Sequence, residues 1–177
     1  MRFAVGEAVV DVIVDDGNYE LPLSDFLPGL DPDGLARHLA ILEPEFLDVA
    51  RDRLKVAVQS YVVHTGSRTI LIDSCVGDDR DRPEVPVWNQ RHATGFLDRL
   101  RRAGTDPAAV DIVLCTHLHV DHVGWNTRLA DGRFVPTFPK PATCSAATSW
   151  PTGWRSARPA PSRRSTAPRS RTASSRF

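Results

Sequence analysis

Ile112-Val113-Leu114-Cys115-Thr116-His117-Leu118-His119-Val120-Asp121-His122-Val123-Gly124 decides how this chain is read. An apolar run of strand length leads directly into three imidazoles and a carboxylate within six positions. Neutral imidazole nitrogen and carboxylate oxygen are ligands for zinc and similar ions. In extended backbone, side chains two apart share a face, so His117 and His119 can reach one ion together. Asp121 and His122 follow where the chain must turn and can face a second ion nearby. A lone His is usually a surface or core residue. Three in six positions, with an Asp among them and a strand before them, are not explained by packing.

Working outward, Thr69-Ile70-Leu71-Ile72-Asp73-Ser74-Cys75-Val76-Gly77 is a second apolar strand, ending in Asp and a Gly-containing turn. It reads as buried on both faces. Lys55 to Val63 alternates as a strand, and Thr65-Gly66-Ser67 makes a hairpin turn between the two. Ala93 to Ala103 reads as an amphipathic helix: Ala93, Phe96, Leu97, Leu100 and Ala103 mark one face, and Arg99, Arg101 and Arg102 face solvent. Gly104 stops it, and Asp106-Pro107 caps a short turn before the strand at 111–115. Phe3 to Val14 reads as β structure ended by the turn Asp15-Asp16-Gly17-Asn18. Residues 21–33 read as an ordered loop, 35–42 and 46–54 as short helices, and 134–138 as a further strand. The charged loop 77–87 reads as solvated surface, and Trp88 could line a site with an apolar wall. This succession is α/β.

The segment at 117–122 resembles the HxHxDH signature of the metallo-β-lactamase superfamily, and the segment at 69–77 is similar to that superfamily's strand ending in Asp. The resemblance covers roughly Ala57 to Lys140. It implies the N-terminal half of an αβ/βα sandwich and a metal-dependent, commonly zinc-dependent, hydrolase. His117 and His119 would hold a first ion, Asp121 and His122 a second, and Asp121 would also orient the attacking water. Asp73 would sit behind the metal loop and fix a ligand's ring. Its other reading is a turn-capping carboxylate. Thr116 and Gly124 read as structural, and His38, His64 and His92 as surface or capping residues. Similarity around Val56–Gly77 and Cys115–Asn126, including Val123-Gly124-Trp125-Asn126, points to the lactonase and organophosphate-hydrolase-like branch and to a small-molecule ester, lactone or phosphoester as substrate.

The superfamily also supplies a further His, a bridging Asp and a final His, and no His follows His122 and no Asp follows Asp131. Two ions in the intact family therefore become one or none expected here, and a catalytically inactive fragment with partial metal binding is the alternative reading. A half-fold of this kind is expected to expose an apolar face.

The zero net charge hides an asymmetry. Residues 1–140 carry all 22 acidic residues against 15 basic ones, and seven Arg lie after Pro141. An acidic body argues against a nucleic-acid substrate; a nucleic-acid binder would rest on those Arg alone. The three Cys include no CxxC pair, which excludes a disulfide framework or zinc ribbon. Cys115 reads as a small buried residue and Cys75 as structural. Without a leader-like or membrane-length apolar run, a soluble cytoplasmic protein is expected, with no membrane partner.

From Pro141 onward Leu, Ile, Val, Met, Asp, Glu, Lys and His vanish. The low-complexity stretch 141–177, rich in Arg, Ser, Pro and Ala, is expected to be disordered. Residues 1–140 then form an incomplete domain. The abrupt change predicts a frameshift near Lys140. In GC-rich codons Ala142–Gly153, read one frame over, gives Asp-Leu-Phe-Ser-Arg-Asp-Glu-Leu-Ala-Asp-Trp, a helical composition similar to what the family carries after a Phe-Pro pair.

Overall fold

The computed structural model describes residues 1–140 and the backbone of 142–145. β1 (Arg2–Val5) and β2 (Ala8–Pro22) lead into α1 (Leu23–Phe26), α2 (Pro32–Ala36) and α3 (Leu39–Leu42). There follow β3 (Leu47–Asp48), β4 (Arg53–His64), β5 (Thr69–Ile72), α4 (Phe96–Arg102), β6 (Ile112–Cys115) and α5 (Val120–Val123). β7 (Thr127–Ala130), β8 (Arg133–Pro136) and β9 (Ala142–Ser145) complete the described elements.

One sheet runs β1-β2-β4-β5-β6-β9, with β3 paired to β4, and β7-β8 form a separate hairpin. The β1-to-β5 neighbours are antiparallel. β5 and β6 are parallel, with Ile72 opposite Leu114. Both strands therefore end on the same side of the sheet, where α/β folds place ligands. β9 adds in parallel to β6, so the sheet continues beyond the boundary that composition placed at Lys140. The remaining tail, where disorder was expected, lies outside the described residues.

The core gathers Val62, Leu71, Val76, Phe96, Leu100, Val110, Val113 and Cys115, all at most 1% exposed. Phe96 and Leu100 are one helical turn apart and lay α4 on the sheet. The other face of β5 and β6 is only half-buried at Ile70, Ile72, Ile112 and Leu114, so burial on both faces is not observed. α4 is shorter than its pattern: Ala93 is exposed at φ +51 and Gly95 takes a left-handed conformation before Phe96. Arg99 is not solvated as expected; its Nε donates to Val14 O at 2.7 Å and its Nη2 lies 3.5 Å from Asp15 Oδ1.

The turn expected at Asp15–Asn18 is absent. β2 continues through it with bulges between Val14 and Tyr19, because Asp15 points inward. Its buried carboxylate meets Arg91 Nη1 at 3.2 Å, Arg99, and the Val76 amide at 3.3 Å. The helix expected over 46–54 is also absent. β3, a single 3-10 turn at Val49–Arg51 and the start of β4 occupy it, and strand pairing overrides local propensity. In 23–54 only Leu23 and Leu47 are buried. Leu27, Leu30, Leu35, Ile41, Leu42 and Phe46 surround an apolar hollow of about 360 Å³. No described helix is long and apolar enough to cross a membrane.

Candidate metal centre

β6 ends at Cys115, and the next residues form the loop that carries the candidate metal ligands, the candidate metal loop. The Thr116 amide donates to Asp73 Oδ1 at 2.8 Å, and Thr116 Oγ1 donates to Asp73 Oδ2 at 2.8 Å. Asp73 follows β5, at φ +55. Its amide in turn donates to Leu114 O at 2.8 Å, so the parallel register of the two strands continues into this clasp. Asp73 Oδ2 lies 2.9 Å from His122 Nδ1. The carboxylate therefore sits behind the loop and holds one ring of it.

The rings are in contact. His117 and His122 have centroids 3.9 Å apart, and His117 and His119 4.5 Å. His122 Nε2 lies 3.3 Å from Asp121 Oδ2. All four sequence-predicted ligands and Asp73 are thus brought together. The division into one pair, His117 with His119, and another, Asp121 with His122, is not visible: His117 touches both other rings. Burial pushes the His117 imidazole below its ordinary range, helped by the neighbouring rings of His122 and His119, so its neutral, ligating form is favoured.

Three imidazoles with two carboxylates are a donor set that suits a divalent ion in kind. In position they are not a finished cage, for among the described residues no three His, Cys, Asp or Glu are disposed to hold one ion. Both His122 nitrogens face carboxylates, and the His117 ring packs against the other two. The residues fit a metal by the chemistry of their donor atoms.

The loop is held from below by two glycines. A Cβ on Gly124 would lie 1.7 Å from Val76 O, and one on Gly77, at φ +78, would lie 2.6 Å from Gly124 C. This close approach is the reason for Gly at both positions. It lets Gly124 N reach Cys75 O at 2.7 Å, Trp125 N reach Ser74 O at 2.8 Å, and Ser74 N reach His122 O at 2.8 Å. Cys75 is buried beside Ser60 Oγ at 3.1 Å, and burial pushes its thiol well up. Cys115 is buried too, accepting from Asn126 Nδ2 at 3.5 Å. Both thiols are structural in their surroundings.

Three residues escaped the sequence reading. Thr116 was taken only to end a strand, yet it clips Asp73. Ser74 was assigned no role, yet its amide donates to His122 O and its carbonyl accepts from Trp125 N. Arg80 was assigned to a solvated loop, but it is half-buried and reaches across to the metal loop. Asp78 in the same loop is also turned inward, holding Thr94 by its amide and hydroxyl. Trp88 is buried in the core against Tyr19, ring centroids 4.7 Å apart. His38 is exposed, His64 faces Asp11 at 3.5 Å, and His92 pairs with Asp79 at 2.7 Å.

The His and Asp cluster thus lies at a strand end of a mixed α/β sheet. The sequence profile of the metallo-beta-lactamase superfamily matches residues 54–171, more than half of the chain, and the chain belongs to that superfamily. No curated protein matches it. Among solved structures it is similar to the hydrolase AbOPH in the beta lactamase superfamily, at 24% identity and TM-score 0.56, over 80% of this chain and 42% of that one. It is also similar to AidC, a dizinc quorum-quenching lactonase, at 20% identity and TM-score 0.58, over 81% and 43%. A third is a probable metal-dependent hydrolase from Staphylococcus aureus, at 17% identity and TM-score 0.59, over 80% and 47%. These likenesses establish a shared fold, and the chain spans less than half the length of each of the three.

Proposed function

We propose that this chain carries the metal-binding half of a metal-dependent hydrolase acting on a small ester, lactone or phosphoester. The observation that supports this is the contact cluster of His117, His119, Asp121 and His122 with Asp73 behind it, at the carboxyl ends of two parallel strands. His117, His119, Asp121 and His122 are the residues that would hold zinc or a similar ion. When bound, such an ion supplies Lewis acidity and makes water acidic enough to lose a proton near neutral pH.

The chain's own residues supply orientation. Asp73 would accept from His122 Nδ1, which fixes the tautomer and puts the lone pair on Nε2, the nitrogen that now faces Asp121 Oδ2 at 3.3 Å. Thr116, bonded to both Asp73 oxygens, stops that carboxylate from turning away. Asp121 would accept a hydrogen from the attacking water and aim the oxygen's lone pair at the substrate carbon or phosphorus. The relatives' dizinc and lactonase descriptions support zinc and a lactone as the first metal and substrate to try.

The test is zinc bound per chain, with lactone and aryl-ester turnover, for the natural chain and His119→Ala. Tight binding and turnover, both lost in the variant, are expected; turnover surviving in the variant would sink the assignment. Asp73→Asn should weaken zinc about 10–100-fold, the usual effect of losing a ligand's supporting partner. A second reading is favoured by the unconverged donor atoms: a metal-binding chain without turnover. Zinc bound weakly with no hydrolysis of either substrate would select it.

A further inference from the structure

Arg80 belongs to no part of the chemistry above, yet its guanidinium is built into the metal loop's far end. The two hydrogens of its Nη2 are shared among Gly124 O at 2.5 Å, Thr127 O at 2.5 Å and Thr127 Oγ1 at 2.7 Å. The guanidinium lies over the Phe134 ring, 4.0 Å from the centroid, which ties it to the β7-β8 hairpin. Its own backbone is fixed as well: the Gln90 amide donates to Arg80 O at 2.8 Å, and the neighbouring Asp79 amide to Arg91 O at 2.7 Å. Gly124 directly follows α5, which carries Asp121 and His122, and Thr127 starts β7. One side chain therefore spans the exit of the metal loop from a loop 44 and 47 residues earlier.

We infer that Arg80 is a positioning residue that clamps the exit of the metal loop and so sets where Asp121 and His122 stand. This rests on the metal reading of the loop. The backbone bonds with Ser74 and Cys75 hold the Gly124 and Trp125 amides and the His122 carbonyl, next to the two glycines. Arg80 takes up the carbonyls of Gly124 and Thr127, at the start of and just after the 3-10 turn Gly124–Asn126 that follows α5. A cation that also stacks on Phe134 does this better than a neutral donor.

The experiment uses the full chain with Arg80→Met and Arg80→Lys. Amide hydrogen exchange is read in the metal-free protein, and zinc affinity is read by titration with zinc chloride. In Arg80→Met the Gly124 and Trp125 amides should exchange at least about tenfold faster, with the β5 and β6 amides unchanged. The zinc dissociation constant should rise about 10–100-fold, as for other residues that support ligands without touching the ion. Arg80→Lys, whose ammonium has three protons for the three oxygens, should recover most of both effects. Unchanged exchange in Arg80→Met overturns the clamp. Faster exchange with unchanged zinc affinity overturns its role in positioning the ligands. A natural chain that binds no zinc sinks the metal reading itself, and the exchange measurement still decides whether Arg80 holds the loop.

Discussion

The two strand ends at 69–77 and 112–127 contrast with the segment 15–54. In the first region Leu71, Ser74, Cys75, Val76, Val113 and Cys115 are at most 1% exposed, and backbone bonds lock loop to loop. In the second only Asp15, Leu23 and Leu47 are buried among the described side chains, and Phe26, Ile41 and Phe46 stand more than half exposed. The lesson is that the segment richest in Leu is not the one that holds the fold. Apolar content raises stability only where the backbone brings it against other apolar surface.

Gly124→Ala should separate the regions most sharply. The added methyl cannot be accommodated by a side-chain shift, since the atom it meets is the Val76 carbonyl oxygen at 1.7 Å. A loss of more than about 4 kcal/mol, at the exceptional end of single substitutions, is expected. Urea denaturation measures it, and a variant as stable as the natural chain would show that the two loops are not in contact.

Asp15 links the regions, and removing it should cost on the order of 3 kcal/mol, because Arg91 loses its partner in a largely buried place. Burial pushes the Asp15 carboxyl up, more than Arg91, the Val76 amide and Arg99 push it down. The charge is therefore not the main gain, and Asp15→Asn, which keeps an acceptor oxygen, should cost clearly less than Asp15→Ala. Equal losses in the two variants would refute that.

Asp11, four residues earlier on β2, behaves oppositely. The bidentate bond from Arg2, at 2.7 and 2.8 Å, holds its carboxyl below the ordinary range. A lowered value means stability that is present above about pH 4 and is lost as pH falls through the lowered value. A raised value, as at Asp15, means that stability declines as pH rises from about 4 through the raised value. Asp11→Asn should therefore flatten the acid side of the stability curve, and Asp15→Asn should remove a decline on the other side. Denaturation midpoints across that pH range, for both variants, give the two signs directly.

How much was legible follows from how far apart the partners are in the sequence. The strand Thr69–Ile72 was read with its observed bounds, and the His and Asp cluster was read whole, because those residues are neighbours in sequence as well as in space. Asp73 was placed by likeness to a family pattern, with a turn-capping carboxylate as its other reading; in the structure it meets both the Thr116 amide and His122 Nδ1. Asp15 and Arg80 were misread as a turn residue and a solvated charge. Their partners lie 44 to 84 residues away, and nothing local distinguishes an inward-facing charge from an outward one. The region 46–54 was misread for a related reason: pairing of β3 with β4 outweighs a weak helical pattern.

The smallest effect should come from the second region itself. Ile41 is 74% exposed at the edge of the apolar hollow. Ile41→Ser removes a large aliphatic side chain that has left little water behind, so stability should change by no more than about 0.5 kcal/mol. Leu71→Ala, a truncation of comparable size at a side chain with no exposure, should lose about 2–5 kcal/mol. If Ile41→Ser instead destabilised the chain as much as Leu71→Ala, the hollow would have to be packed in solution by surface that the described residues do not supply. The contrast between the two regions would then be one of partners and not of intrinsic order.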